Sequence, residues 1–140
     1  MTNAERLMTA LAPIFGGGEL DVDEALIERI SDALDEISIE EIAGEMTADS
    51  SFRTEFQGRD ELASTWADWL ETFSRVRLDL EEVEEVGDSV ITFVKQVGTT
   101  RHGVDIEQPS AAVWKFRDGK LVRVEFHLDR DKARESAAAA

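Results

Sequence analysis

The hydrophobic period of this chain changes partway along, from about 3.6 residues to 2, which separates a helical first half from a strand-rich second half. Asn3 to Phe15 carries Leu7, Met8, Leu11, Ile14 and Phe15 as a helical stripe, with Asn3 as N-cap, until Gly16 to Gly18 break it. Asp23 caps a second helix on which Leu26, Ile27, Ile30, Ala33, Leu34 and Ile37 recur at spacings of three and four, a face broad enough for a core. Ser38 followed by Glu41 has the form of a capping box and predicts a third, short helix with Ile39, Ile42 and Met46 apolar. "SSFRTEF", Ser50 to Phe56, alternates Phe52, Thr54 and Phe56 with Arg53 and Glu55, the pattern of a half-buried strand. After Gly58 comes the strongest helix, with Leu62, Trp66, Trp69, Leu70 and Phe73 on one side.

From Arg75 the strand period takes over. Val76, Leu78 and Leu80 alternate with Arg77, Asp79 and Glu81, "VGD" at 86–88 turns the chain, and Val90 to Val97 follows as a second strand. Beyond the turn "GTTRHG", Val104 to Glu107 is extended and Pro109 predicts a bulge, because proline cannot donate into a central ladder. Ala111 to Phe116 and Leu121 to Leu128 form a hairpin closed by "RDG", and Asp129 to Ala140 favours helix. Helices followed by antiparallel strands predict an α+β fold, with helices on one face of a curved sheet.

Composition narrows the function. A chain of 140 residues is one domain, long enough to bury roughly two thirds of its unfolded surface and to hold a pocket. Its 31 acidic against 15 basic residues give a net charge of -16, a field that repels nucleic acid and anionic lipid. The absence of cysteine excludes thiol chemistry and fits a reducing cytoplasm, and no apolar run approaches the roughly 18 residues that span a membrane. A soluble cytoplasmic protein is expected. With two histidines, a histidine-based zinc site is not expected; the Asp21, Asp23 pair is too sparse for a metal, and the run Glu81, Glu82, Glu84, Glu85 has the pattern of a solvated edge. No metal and no cofactor is implied.

Strand phase sorts the remaining side chains. Thr54, Leu78, Thr92, Val94, Gln96, Ala112, Trp114, Phe116, Val122, Val124 and Phe126 fall inward, with Trp66 and Trp69 descending from the helix. Arg77, Asp79, Lys95, Lys115, Arg123, Glu125 and His127 fall outward, where Lys115 and Arg123 can pair with Glu125 and where His127 has a solvated or interfacial place. Ile91, Phe93, Val97 and Val113 lie on the same outer face. An apolar centre ringed by charges suits a homodimer interface. The three tryptophans suit ordinary core packing better than direct stacking on a ligand, whereas inward Thr92 and Gln96 need partners that a ligand or water could supply. His102, in the turn "TTRHG", is expected in solvent.

Four stretches in this order, "FQGRDEL", "VGDSVITFV", "VWKFRDGKLVRVEF" and "LDRDKA", make the chain resemble the SnoaL-like members of the nuclear transport factor 2-like superfamily. The resemblance covers residues 23–135 and implies a cone: a curved antiparallel sheet with the N-terminal helices packed on its concave face, enclosing a pocket. Residues 1–22 then form an extra helix and Gly-rich joint, and 136–140 a tail. The superfamily includes steroid isomerases, polyketide cyclases, epoxide hydrolases and dehydratases, so the fold does not settle a reaction. Aligned on the steroid isomerases, the phenolic donor falls on Ile30, the base on Thr54 and the second carboxyl on Ala112. The acid/base aspartate of the SnoaL cyclases falls on Phe126, and no inward arginine stands between two inward carboxylates as the epoxide hydrolases need. None of these replacements transfers a proton near neutral pH. The expectation is a binding protein for a small hydrophobic or aromatic molecule, its pocket lined by Ile30, Thr54, Trp66, Trp69, Thr92, Gln96, Ala112, Trp114 and Phe126. The alternative is an isomerase, cyclase or dehydratase using Thr54, Gln96 or His102, and a third reading is a structural domain whose tryptophans fill the cone.

Overall fold

Thr2 opens the first helix. Its hydroxyl accepts from the Glu5 N–H at 3.1 Å and the Glu5 carboxylate accepts from the Thr2 N–H at 3.3 Å, so the capping box lies one residue before the expected Asn3 cap. The computed structural model describes residues 2–12, 14–15, 18–46 and 54–138, with Met46 and Thr54 through their backbone alone. Its elements are α1 (Asn3–Leu11), β1 (Leu20–Asp21), α2 (Glu24–Ile37), β2 (Ser38–Met46), β3 (Thr54–Gln57), α3 (Arg59–Leu70), β4 (Phe73–Val86), β5 (Ser89–Thr100), β6 (Asp105–Arg117), β7 (Lys120–His127) and α4 (Arg130–Ala138). The described strands form one sheet in the order β1-β4-β5-β6-β7-β2-β3, antiparallel throughout except for the parallel pair β2–β7. This is the expected α+β architecture.

The short helix predicted after Ser38 is instead β2. Ser38 leaves α2 with extended backbone while its hydroxyl donates back to the Leu34 carbonyl, and the segment then finds its partners in β7 and β3. Helical spacing of Ile39 and Ile42 survives because the β2–β7 register shifts between Ser38 and Ala43. Gly44 permits the approach: a Cβ there would stand 1.9 Å from the Val124 carbonyl oxygen. Of the predicted strand 50–56, residues 50–53 lie outside the described residues, and β3 begins at Thr54.

Pro109 makes no bulge. β5 and β6 pair in unbroken register from Ser89–Lys115 to Thr99–Asp105, with Lys95 opposite Pro109. The last β6–β7 pair is Ala111–His127, so Pro109 has a described ladder neighbour on one flank alone, where a missing N–H is tolerated. The irregularity lies instead between Lys115 and Phe116, and it turns Leu121 rather than the expected Val122 into the core. Asp118 (φ 53°) and Gly119 (φ 78°) close the hairpin with the left-handed pair of a type I′ turn.

Two apolar layers flank the sheet. Leu7, Leu11, Ile30, Leu34, Leu62, Trp114, Leu121 and Val124 belong to the layer under α1, α2 and α3, so the N-terminal helix is part of the core. On the other face Ala133 and Ala137 of α4 cover Ile91, Phe93, Ala111 and Val113. The apolar centre that motivated a homodimer through the outer face therefore lies beneath the chain's own last helix, with Val97 outside that layer. The tail boundary at 136 also moves: Ser136 and Ala137 are packed parts of α4. No described helix is long and apolar enough to cross a membrane.

Candidate functional site

α3 brings Trp66 and Trp69 onto one side because residues three apart share a helix face. Their rings meet edge to face at 5.9 Å, and Trp66 meets Phe126 of β7 in the same way at 5.2 Å. Phe126 in turn lies 5.8 Å from Trp114 of β6, so three elements supply one aromatic wall. The Trp114 indole N–H donates to the Thr92 hydroxyl at 2.9 Å, which fixes the ring and gives the fully buried Thr92 its partner within the chain. The Trp66 indole N–H is buried without a hydrogen-bond partner among the described residues.

These rings border a cavity of about 170 Å³. Of the residues expected to line a pocket, Trp66, Trp69, Thr92, Gln96, Ala112, Trp114 and Phe126 do so. Ile30 does not; it is packed in the core beneath the helices. The Thr54 side chain lies outside the described residues. Gln108, Ser110 and Phe15 also stand on the wall and were not anticipated. Gln108 and Ser110 continue the inward alternation of Ala112 and Trp114, a signal masked by reading Pro109 as a break; Phe15 comes from the segment after α1, and no local pattern marks it.

The acid/base groups lie elsewhere. His102 is exposed in the β5–β6 turn, off the cavity wall. His127 is buried rather than solvated. Together with Ala111 and Leu128 it borders the cavity where the β6–β7 pairing ends, but its imidazole is committed to Glu125 on the α4 side of the sheet. The carboxylate can only accept, so Nε2 carries the proton across the 3.3 Å contact, and the buried Nδ1 has no partner. Oε1 accepts from His127 and the Ser136 hydroxyl, and Oε2 accepts from Arg123 at 2.6 Å with the Lys115 ammonium 3.7 Å away as an ion pair. The His127 hydrogen bond, then those of Ser136 and Arg123 and the Lys115 charge, hold the Glu125 carboxyl well below the usual carboxylate range against the opposing effect of burial. The expected Lys115 and Arg123 pairing is present; the cluster's use is to anchor α4.

The acidic run has a related use. Glu81 pairs with Arg130 and Glu84 with Arg134 at 3.2 Å, and both arginines lie over the Phe93 ring, at 5.5 and 4.6 Å. A second groove beside Glu19, Arg75 and Glu107 has no aromatic side chain among its described lining residues, and its Arg75 is paired with Glu19 at 3.5 Å. Among the described residues no three His, Cys, Asp or Glu side chains are grouped to hold a metal. The cavity can therefore enclose and orient an apolar molecule, while its described wall carries no carboxylate to move a proton.

Comparison with known proteins agrees with this fold. A family model described as SnoaL-like domain matches residues 24–124. Among solved structures, a candidate SnoaL-like polyketide cyclase from Jannaschia sp. CCS1 superposes with a TM-score of 0.72 at 16% identity, covering 99% of this chain and 92% of its own. An NTF2-like protein from Burkholderia thailandensis E264 gives 0.72 at 19% identity, covering 100% and 98%. TerC, co-crystallised with polyporic acid, gives 0.68 at 18% identity, covering 99% and 98%. No curated protein matches.

Proposed function

Given that this chain belongs to the SnoaL-like domain family, we propose that it binds a small hydrophobic or aromatic molecule in the cavity between α3 and β5–β7, without the proton transfer of its catalytic relatives. The observation that carries this reading is a cavity of about 170 Å³ walled by Trp66, Trp69, Trp114 and Phe126; the sequence resemblance adds that Ala112 and Phe126 fall at positions where catalytic members of the superfamily have carboxyl groups. The co-crystal of TerC with polyporic acid supports a fold suited to holding small organic molecules. Size then selects among ligands. An apolar cavity of about 150 Å³ accepts benzene, whereas drug-sized ligands occupy roughly 300–1,000 Å³. The sheltered space matches one ring, and a larger ligand would extend through the open mouth. Exposed His102 lends no support to the enzyme alternative. A cytoplasmic location belongs to the same proposal and rests on the cysteine-free sequence.

The test is thermal-shift screening of single-ring aromatics, monoterpenoids and steroids, with tryptophan fluorescence as the second readout. Single-ring compounds at about 100 times Kd are expected to stabilise the fold by roughly 2.7 kcal/mol, a shift of several degrees, and to change the emission. No shift and no change from any class would favour a purely structural domain.

A further inference from the structure

The side-chain amides of two glutamines on the cavity wall have no part in holding the wall together. Gln96 of β5 and Gln108 of β6 are direct cross-strand partners, both half-buried, and neither side-chain amide is bonded to another described residue. The other polar groups of the wall are occupied: the Thr92 hydroxyl accepts from Trp114, and the Ser110 hydroxyl donates to the Val94 carbonyl at 3.2 Å. The cavity is therefore graded along β5 and β6. Register places the Trp114 ring at one end, Thr92 opposite Ala112 and Val94 opposite Ser110 in the middle, and two free carboxamides at the other end.

We infer that the ligand is a single aromatic ring bearing one neutral hydrogen-bonding group, a hydroxyl or carbonyl, with the polar group between Gln96 and Gln108 and the ring directed along β5 and β6 toward the aromatic wall. This rests on the binding function proposed above and specifies its ligand. Side by side, the amides offer four N–H donors and two carbonyl acceptors, so they serve a group that donates, accepts or does both. Neither amide brings a charge, and a chain of net charge -16 repels an anion, so a carboxylate is disfavoured as the head group. The sheltered space of about 170 Å³ matches one ring in size.

Three probes of nearly one shape test this on the full chain: 4-methylphenol, toluene and 4-methylbenzoate, with Kd measured by calorimetry and by tryptophan fluorescence. Hydrophobic transfer alone favours toluene, since a hydroxyl must be desolvated, so a preference for 4-methylphenol reports hydrogen bonds made in the cavity. The expected order is 4-methylphenol about fivefold tighter than toluene, with 4-methylbenzoate weakest. The double variant Gln96→Leu/Gln108→Leu is expected to bring the ratio of the first two Kd values to about one; if it fails to fold, Gln108→Ala alone is expected to lower that ratio at least twofold. Equal binding of toluene and 4-methylphenol by the native chain, or 4-methylbenzoate as the tightest probe, overturns the head-group assignment and leaves the binding function standing. No binding of any probe overturns both.

Discussion

At Glu125 a single side chain ties together β6, β7 and α4, and its contribution depends on charge. Glu125→Ala removes the carboxylate shared by His127, Ser136, Arg123 and Lys115 and leaves Arg123 only its longer pairing with Glu45 among the described residues, and a loss of about 1.5–3 kcal/mol in urea unfolding near neutral pH is expected. Glu125→Gln separates charge from shape. Because the folded-state pKa lies below the ordinary value of about 4.3, the carboxylate's stabilisation is complete above that pH and is lost as the pH falls through the folded value. The stability gap between native chain and Glu125→Gln should therefore be widest at about pH 6 to 7 and narrow steadily as the pH falls from about 4 to 2. A gap that stays constant across that range would mean the carboxylate's charge is not what holds the cluster. At this scale strand parity revealed Glu125, Lys115 and Arg123 as neighbours. It did not reveal that His127 is buried, because parity assigns a face and not what covers it.

Among the elements, α4 and β2 depart most from what local pattern suggests. α4 is nine residues long, too short to be stable in isolation, and its apolar contribution consists of Ala133 and Ala137. Two arginine pairs and the Glu125–Ser136 hydrogen bond do the rest. Removing residues 129–140 uncovers Ile91, Phe93 and Val113, an apolar patch that water disfavours. Light scattering is expected to find the full chain monomeric and the truncated chain associated into dimers or larger species; a truncated chain that stays monomeric would show that α4 does not mask a self-associating surface. For β2, helical spacing and a capping sequence were present and still lost. Its backbone groups are satisfied by β7 and β3, and pairing of that kind outweighs a local preference worth a fraction of a kcal/mol per residue.

For the molecule as a whole, charge balance gives a distinct expectation. With a net charge of -16, self-repulsion opposes the compact state, whereas each exposed ion pair contributes less than about 1 kcal/mol. Added salt screens both, and repulsion is the larger, so Tm should rise by a few degrees between about 10 and 150 mM NaCl. A falling Tm would mean that the ion pairs binding α4 outweigh the global field. The sequence by itself determined the α+β class, the hairpin at Asp118–Gly119 and most of the cavity wall, because alternation and helical spacing are local and assign a face to each residue of a continuous element. Tertiary structure alone decided that 38–46 is a strand, that Phe15 reaches the cavity and that α4 covers the outer face. Each of those outcomes depends on partners far away in the chain, and the free energy of such contacts is not written in the period of either segment.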